Sequence, residues 1–162
     1  MKYRHLGNSG LEVSVIGLGT NNFGGRMEFK EAREVIFSAL DQGINLIDTA
    51  NIYSHGRSEE IIGRALADRR QESLIATKFG MVWEDGPHGH GGSRKHIMDS
   101  LEGSLRRLQT DHVDLYQMHQ QDPDTPIEET LRALDDAVTS GKVRYIGLSN
   151  FDPWRIADAQ WT

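Results

Sequence analysis

The sequence predicts an α/β fold in which parallel strands and helices alternate along the chain. Five short runs are continuously apolar, as expected for strands buried on both faces of a sheet; they cover residues 13–19, 44–48, 74–78, 113–118 and 143–149. Amphipathic helical patterns fill the gaps, so strand and helix repeat about every 30 to 40 residues. Such a repeat is typical of successive βαβ units.

Five of these units fill the 162 residues. A complete (β/α)8 barrel takes about 250 residues, and the last helical pattern reaches Thr162 without a C-cap. We therefore expect a (β/α)8 TIM barrel truncated after about five β/α units, with residues 1–162 as a single domain. The alternative is a five-stranded open sheet that is complete in itself.

The helices are identified by apolar stripes and capping residues. The first stripe, residues 32–40, has apolar residues three and four positions apart and is followed by Gly43, a typical C-terminal glycine. Ser58 and Ser93 are candidate N-caps of the second and third helices. The fourth and fifth helices are predicted from an N-cap followed by proline: Thr125-Pro126, with Glu128 completing a capping box, and Asp152-Pro153.

The composition is typical of a soluble globular protein. Hydrophobic residues make up 37% of the chain and charged residues 26%, and the net charge of −6 disfavours broad contact with a nucleic acid backbone. No apolar run is long enough for a membrane span, no signal region follows Met1, and without cysteine there is no thiolate chemistry. We expect a cytoplasmic protein without nucleic acid or membrane partners; the oligomeric state stays open.

Polar residues stand at the carboxyl end of every predicted strand. They are Thr20, Asp48, Lys78, His119 and the pair Ser149-Asn150. Parallel strands of a barrel end on one face, and active sites lie there. Each residue alone also has a structural explanation, such as a buried ion pair or a core histidine, but their shared position favours a site.

Together with Tyr53, these residues suit proton transfer to an oxygen that gains charge. Tyr53 would donate the proton, Lys78 would ease its release because an ammonium stabilises a phenolate, and Asp48 would anchor Lys78. His119 could hydrogen-bond the substrate oxygen. A carbonyl that accepts hydride is such an oxygen, and the hydride would come from a cofactor because the chain has no redox group.

Longer motifs resemble the aldo-keto reductase family over essentially the whole chain. They are GINLIDTANIY at residues 43–53 with SEEIIG at 58–63, TK at 77–78, DLYQMH at 114–119, GKVRYIGLSNF at 141–151, and residues 3–14, which are similar to the family's N-terminal β-hairpin at the barrel bottom. The resemblance implies NADPH-dependent reduction of small aldehydes and ketones to alcohols.

Carried over by position, the resemblance implies a set of site residues and no metal. The catalytic residues would be Asp48, Tyr53, Lys78 and His119, with Tyr53 as the acid. The cofactor-binding residues would be Gly19, Thr20, Asp48, Ser149 and Asn150, with the last two at the nicotinamide carboxamide and Thr20 and Asp48 near its ribose. The choice of NADPH over NADH rests on the resemblance alone.

The sequence departs from the family pattern at two positions, and two alternative functions remain open. Asn21 and Gln120 stand where many relatives have tryptophan, which predicts a more polar pocket wall. Potassium-channel β-subunits resemble the same family, so a cofactor-binding regulatory module is the alternative function, and an inactive barrel fragment is a third.

Two further motifs are weak. Residues 17–24 depart from the dinucleotide-binding glycine spacing, and His88 and His90 lie in a glycine-rich loop, predicted to lie over the barrel mouth, without ligand partners at metal spacing. Trp83 lines the pocket or packs beneath this loop.

Overall fold

The computed structural model describes residues 1–162 and contains seven strands and five α-helices. The strands are β1 Tyr3–His5, β2 Glu12–Ser14, β3 Leu18–Gly19, β4 Leu46–Asp48, β5 Leu74–Phe79, β6 Val113–Met118 and β7 Val143–Leu148. The helices are α1 Phe29–Asp41, α2 Arg57–Ala65, α3 Arg94–Leu108, α4 Ile127–Thr139 and α5 Pro153–Trp161. No helix combines the length and apolar character that crossing a membrane requires.

The strands form two sheets. β1 and β2 pair antiparallel as an N-terminal hairpin, and β3 to β7 form a parallel sheet in sequence order. Each parallel strand is joined to the next by a helix, which is the connection found in (β/α)8 barrels. The structure therefore confirms the predicted α/β fold and the hairpin.

The core lies between the sheet and the helices that cover it. Ile36, Ile62 and Leu134 are fully buried on helices, and Ile47 and Ile75 are fully buried on strands. Because their side chains belong to one hydrophobic cluster, the helices hold the strands in fixed register. That register pairs Gly19 with Asp48, Lys78 with Gln117, and Met118 with Leu148, which keeps the carboxyl ends of the strands close together. This edge of the sheet is called the mouth.

Three local predictions were wrong: the extent of the first strand, the N-cap of the second helix and the start of the fourth helix. The run 13–19 is divided between β2 and β3, because the chain turns at Val15 and Ile16, which are more than half exposed. Ser58 lies inside α2, whose N-cap is Gly56, because its hydroxyl joins a buried network.

The fourth helix begins one residue later than predicted, with Pro126 as its N-cap. The Thr125 hydroxyl donates to Asp122 Oδ2 at 2.7 Å and therefore does not cap the helix. By contrast, Ser93 and Asp152 are N-caps as predicted, and the Ser93 hydroxyl accepts from the His96 amide at 3.3 Å.

Candidate active site

Lys78 is the centre of a cluster at the mouth. Its buried ammonium donates to Asp48 Oδ2 at 2.7 Å, to the Thr49 carbonyl at 2.8 Å and to the Tyr53 phenol oxygen at 3.3 Å. An ammonium has three N–H donors, so all of them have partners. Since the phenol oxygen accepts from Lys78, the phenol proton remains available to another acceptor.

The loop that carries Tyr53 is tied to β5 by backbone hydrogen bonds. The Thr49 amide donates to the Ala76 carbonyl at 2.8 Å, and the Asn51 amide donates to the Lys78 carbonyl at 3.1 Å. These bonds continue the β4–β5 ladder beyond the end of β4. Tyr53 and Lys78 therefore share one rigid support although 25 positions separate them in the sequence.

A chain of fully buried hydroxyls supports Asp48 from behind. Thr49 Oγ1 lies 2.9 Å from Ser58 Oγ, Ser58 Oγ lies 2.9 Å from Thr20 Oγ1, and Thr20 donates to the Asp48 carbonyl at 2.9 Å. Thr20, at the end of β3, therefore contacts Asp48, at the end of β4. Its side chain has no exposed surface, so within this structure it positions Asp48 and does not line the mouth.

His119 faces Tyr53 from the end of β6. Its amide donates to the Phe79 carbonyl at 2.8 Å, and its ring meets the Tyr53 ring edge to face with 5.8 Å between centroids. Burial, with a smaller contribution from the Lys78 charge and against the opposing effect of Asp48, lowers the pKa of His119 below its ordinary value of 6.5. The imidazole is therefore neutral at neutral pH.

His119 Nε2 is the ring nitrogen that can face a bound substrate. Nδ1 is buried without a hydrogen-bond partner, whereas Nε2 is not among the buried atoms that lack one. When the proton is on Nε2, the neutral ring can donate a hydrogen bond through this nitrogen.

Ser149 and Asn150 follow β7 beside His119. The Asn150 amide group donates to the His119 carbonyl at 2.8 Å and to Ser149 Oγ at 3.1 Å. The Ser149 hydroxyl proton and Asn150 Oδ1 have no partner among the protein's hydrogen bonds. These two atoms are one donor and one acceptor, the pair that a primary carboxamide needs, so they fit the carboxamide of a nicotinamide.

The opposite side of the mouth is formed by β3 and the loop after it. No atom lies within 4 Å of the position that a Cβ would occupy at Gly19, which leaves space beside Asp48. Asn21 and Gln120 are exposed. The predicted catalytic residues and Ser149-Asn150 are thus brought to one edge, while Thr20 lies behind it.

Two contributors were missed in the sequence. The Thr49 carbonyl binds Lys78, and the Gln117 side chain donates to Asp48 Oδ1 at 3.4 Å. A polar residue inside the apolar run 113–118, two positions before His119, was the available signal for Gln117. Nothing in the sequence marks a backbone carbonyl such as that of Thr49.

The glycine-rich loop after β5 is attached to the loop after β6. Asp122 Oδ2 accepts from the Gly92 amide at 2.7 Å, and the Thr130 hydroxyl donates to the Gly92 carbonyl at 2.8 Å. The His88 carbonyl lies 2.9 Å from His96 Nδ1. No group of three potential metal-ligating side chains forms in the structure.

Known proteins resemble this chain in sequence. A model described as the aldo/keto reductase family matches residues 15–162. The chain is 45% identical over 157 residues to the aldo-keto reductase YhdN of Bacillus subtilis (strain 168), covering 93% of this chain and 47% of that protein. It is 40% identical over 164 residues to a probable voltage-gated potassium channel subunit beta of Oryza sativa subsp. japonica, covering 98% of this chain and 49% of that protein.

A solved structure gives the same picture of the fold. The holo form of aldo-keto reductase AKR11C1 from Bacillus halodurans superposes with a TM-score of 0.88 and 41% sequence identity, covering 98% of this chain and 53% of that one. The five β/α units therefore match part of an aldo-keto reductase barrel. The chain spans about half the length of the relatives it matches.

Proposed function

This chain belongs to the aldo-keto reductase family, and we propose that the protein is an NADPH-dependent oxidoreductase that reduces aldehydes and ketones to alcohols. Tyr53 supplies the proton to the carbonyl oxygen. We also propose that residues 1–162 form one domain, since one hydrophobic cluster joins strands and helices. A cytoplasmic location is a further part of this proposal.

The coordination of Lys78 is the observation that carries the proposal. The ammonium donates to Asp48, to the Thr49 carbonyl and to the Tyr53 oxygen. In this arrangement the phenol proton is free to donate to a substrate oxygen. The ammonium stabilises the charge that remains on Tyr53 after the proton leaves. Asp48 and Thr49 prevent the lysine from turning away.

His119 orients the carbonyl and does not compete as the acid. Its neutral ring can donate through Nε2, and its lowered pKa keeps it uncharged at neutral pH. A donor aimed at the carbonyl oxygen stabilises the charge that develops there. Tyr53, whose ring contacts His119 edge to face, is then the remaining proton donor at this oxygen.

Ser149, Asn150, Gly19 and Asp48 are the residues proposed to hold the nicotinamide end of NADPH. The free hydroxyl proton of Ser149 and the free Oδ1 of Asn150 suit its carboxamide. The bound cofactor supplies hydride to the carbonyl carbon. The open space beside Gly19 would accommodate the nicotinamide ring next to Asp48. Thr20 holds Asp48 in place by donating to the Asp48 carbonyl.

The test is turnover of 4-nitrobenzaldehyde followed as loss of NADPH absorbance, with NADH in parallel. Tyr53→Phe removes the phenol proton and little volume, so we expect kcat to fall by about 10²- to 10⁴-fold. Tyr145→Phe, which removes a phenol from β7 that makes no side-chain hydrogen bond, is the matched control and should retain activity. A Tyr53→Phe protein with more than about half the parent kcat would exclude Tyr53 as the acid.

A cofactor-binding regulatory module is the second candidate. The 40% identity to a probable potassium channel subunit beta favours it. Binding of NADPH without turnover of any carbonyl compound would support the module. Binding together with turnover supports the enzyme.

A further inference from the structure

A polar cavity of about 340 Å³ lies between α3 and the loop after β5, and it is called the side cavity. Side chains of α3 between Lys95 and Arg107 line it, together with Trp83 from the loop after β5 and Asn51 from the loop after β4. Trp83 is its one hydrophobic residue, and no catalytic residue lines it. Its volume is within the range of pockets that hold small molecules, and its lining suits a polar one.

Hydrogen bonds attach the loop after β5 to α3, so the side cavity has a fixed wall. The His88 carbonyl can only accept, so His96 Nδ1 donates to it at 2.9 Å and carries the proton of the neutral ring. His96 Nε2 then accepts from the Ser100 hydroxyl at 3.2 Å, which leaves the Ser100 oxygen able to accept from another donor. Within the loop, the Trp83 amide donates to the Gly89 carbonyl at 2.9 Å.

Asn51 presents a buried side-chain amide without a partner in the protein. The residue is 2% exposed, and its Oδ1 is buried without a hydrogen bond. Its backbone is held, because the Asn51 amide donates to the Lys78 carbonyl at 3.1 Å. A buried polar group without a partner is destabilising. Since this one lines the side cavity, a bound molecule with a hydrogen-bond donor would satisfy it.

Two consecutive arginines also line the side cavity. Arg106 is exposed and belongs to no ion pair of the structure. Arg107 pairs with buried Glu59 through Nε at 2.7 Å and donates to Ser104 through Nη2 at 3.4 Å, which leaves Nη1 free. Its guanidinium carbon lies 4.7 Å from the centroid of the Trp83 ring, so stacking holds the group flat. Guanidinium groups bind phosphate oxygens in pairs.

The remaining charges of the side cavity call for donors on the ligand as well. Lys95 and Asp99 pair with each other at 2.6 Å. Glu84 is exposed and belongs to no ion pair, and it opposes an anion unless it receives a hydrogen bond. Glu84, Asn51 Oδ1 and the Ser100 oxygen are all acceptors. A phosphate group together with hydroxyl groups matches this set, because the hydroxyls donate to the acceptors.

Gly103 gives the side cavity its depth beside Arg107. It lies in the interior of α3, Arg94–Leu108, where glycine is less favourable than alanine. A Cβ at Gly103 would lie 3.1 Å from Arg107 Nη1. The missing side chain therefore leaves space next to the free guanidinium nitrogen.

We propose that the side cavity is a second small-molecule site, which binds the phosphate monoester of a small polyol. Arg106 and Arg107 hold the phosphate group, and Asn51 and Glu84 accept hydrogen bonds from the hydroxyls. The site is separate from the mouth, so the proposal does not depend on carbonyl reduction.

The experiment is equilibrium dialysis with radiolabelled glycerol 2-phosphate. The parent protein should bind a single equivalent. Sulfate, an oxyanion without hydroxyls, should displace it only at an at least about tenfold higher concentration than unlabelled glycerol 2-phosphate, and glycerol should not displace it. Saturating NADPH should leave the binding unchanged, because the proposed cofactor site is at the mouth.

Three variants and one control locate the bound molecule. Arg106→Met should raise Kd by about tenfold or more, and Asn51→Leu by about two- to tenfold, the scales of a charged and a neutral hydrogen bond. Gly103→Ala should also raise Kd, because its Cβ takes the space beside Arg107 while alanine favours the helix. Arg132→Met removes an exposed arginine of α4 that has no ion pair and lies outside the side cavity, and it should keep the parent Kd.

No binding at about 10 mM glycerol 2-phosphate would mean that the side cavity holds only water, and would overturn the proposal. Equal displacement by sulfate would overturn the hydroxyl contacts and with them the ligand class. An unchanged Kd in Arg106→Met and Gly103→Ala, an equal rise in Arg132→Met, or displacement by NADPH would place the anion elsewhere and overturn the site. These outcomes need no turnover, so they stay distinct from a failure of the proposed carbonyl reduction.

Discussion

Replacing Lys78 with methionine removes the charge beside Tyr53 while keeping a side chain of similar length. The ammonium lies 3.3 Å from the phenol oxygen. At an effective dielectric constant of about 20, opposite unit charges at this distance attract by about 5 kcal/mol, which corresponds to several-thousand-fold in rate at most. The Asp48 side chain is 37% exposed, so solvent screens part of this energy, and we expect kcat to fall by about 10²- to 10³-fold.

The assay is steady-state NADPH oxidation with 4-nitrobenzaldehyde across a range of pH, with cofactor binding measured separately. Asp48→Asn is the comparison, because it keeps the Lys78 charge and removes its anchor. If Lys78 acts through its charge on Tyr53, Lys78→Met loses at least about tenfold more activity than Asp48→Asn, and the pH profile of the residual activity shifts. Equal losses with an unshifted profile would mean that Lys78 only anchors Asp48, and the reasoning would be refuted.

Other expected outcomes concern stability, measured by urea unfolding. Gly63→Ala should lower the free energy of unfolding by about 1–3 kcal/mol, because the added Cβ would lie 2.6 Å from the backbone of Arg107 and Leu108. This clash outweighs the higher helix propensity of alanine. A stabilised variant would show that α2 and α3 do not make this contact. Leu134→Ala should cost about 2–5 kcal/mol, since Leu134 is fully buried, and a cost near zero would contradict that packing. Burial lowers the pKa of His96 below 6.5, so the unfolded state takes up a proton before the folded state as pH falls. The free energy of unfolding should therefore decrease as pH falls below about 6.5. His96→Gln should make the free energy of unfolding less dependent on pH in this range, and an unchanged pH dependence would exclude His96 as its source.

The strand ends could be predicted because strands that are buried on both faces of the sheet consist of consecutive apolar residues. Parallel strands read as apolar runs, so the polar residues at the carboxyl ends of these runs indicate the mouth. Asp48, Lys78 and His119 were located in this way, and the structure brings all three together with Tyr53.

The rest depends on contacts between distant segments. Ser58 has the appearance of an N-cap, yet its hydroxyl bonds Thr20, 38 positions away, so the helix begins before it. Arg107 reads as an ordinary basic residue near a helix end, and its pairing with Glu59 spans 48 positions. Local sequence cannot indicate such partners, because the fold alone decides which side chains meet.

The most direct test of carbonyl reduction with Tyr53 as the acid follows deuterium from NADPH that carries deuterium at both C4 positions. Hydride transfer predicts that the deuterium appears on the carbinol carbon of 4-nitrobenzyl alcohol, detected by mass spectrometry. The Tyr53→Phe protein should bind the cofactor with similar affinity and form labelled alcohol about 10²- to 10⁴-fold more slowly. Alcohol without deuterium, or labelled alcohol formed by Tyr53→Phe at the parent rate, would contradict the mechanism.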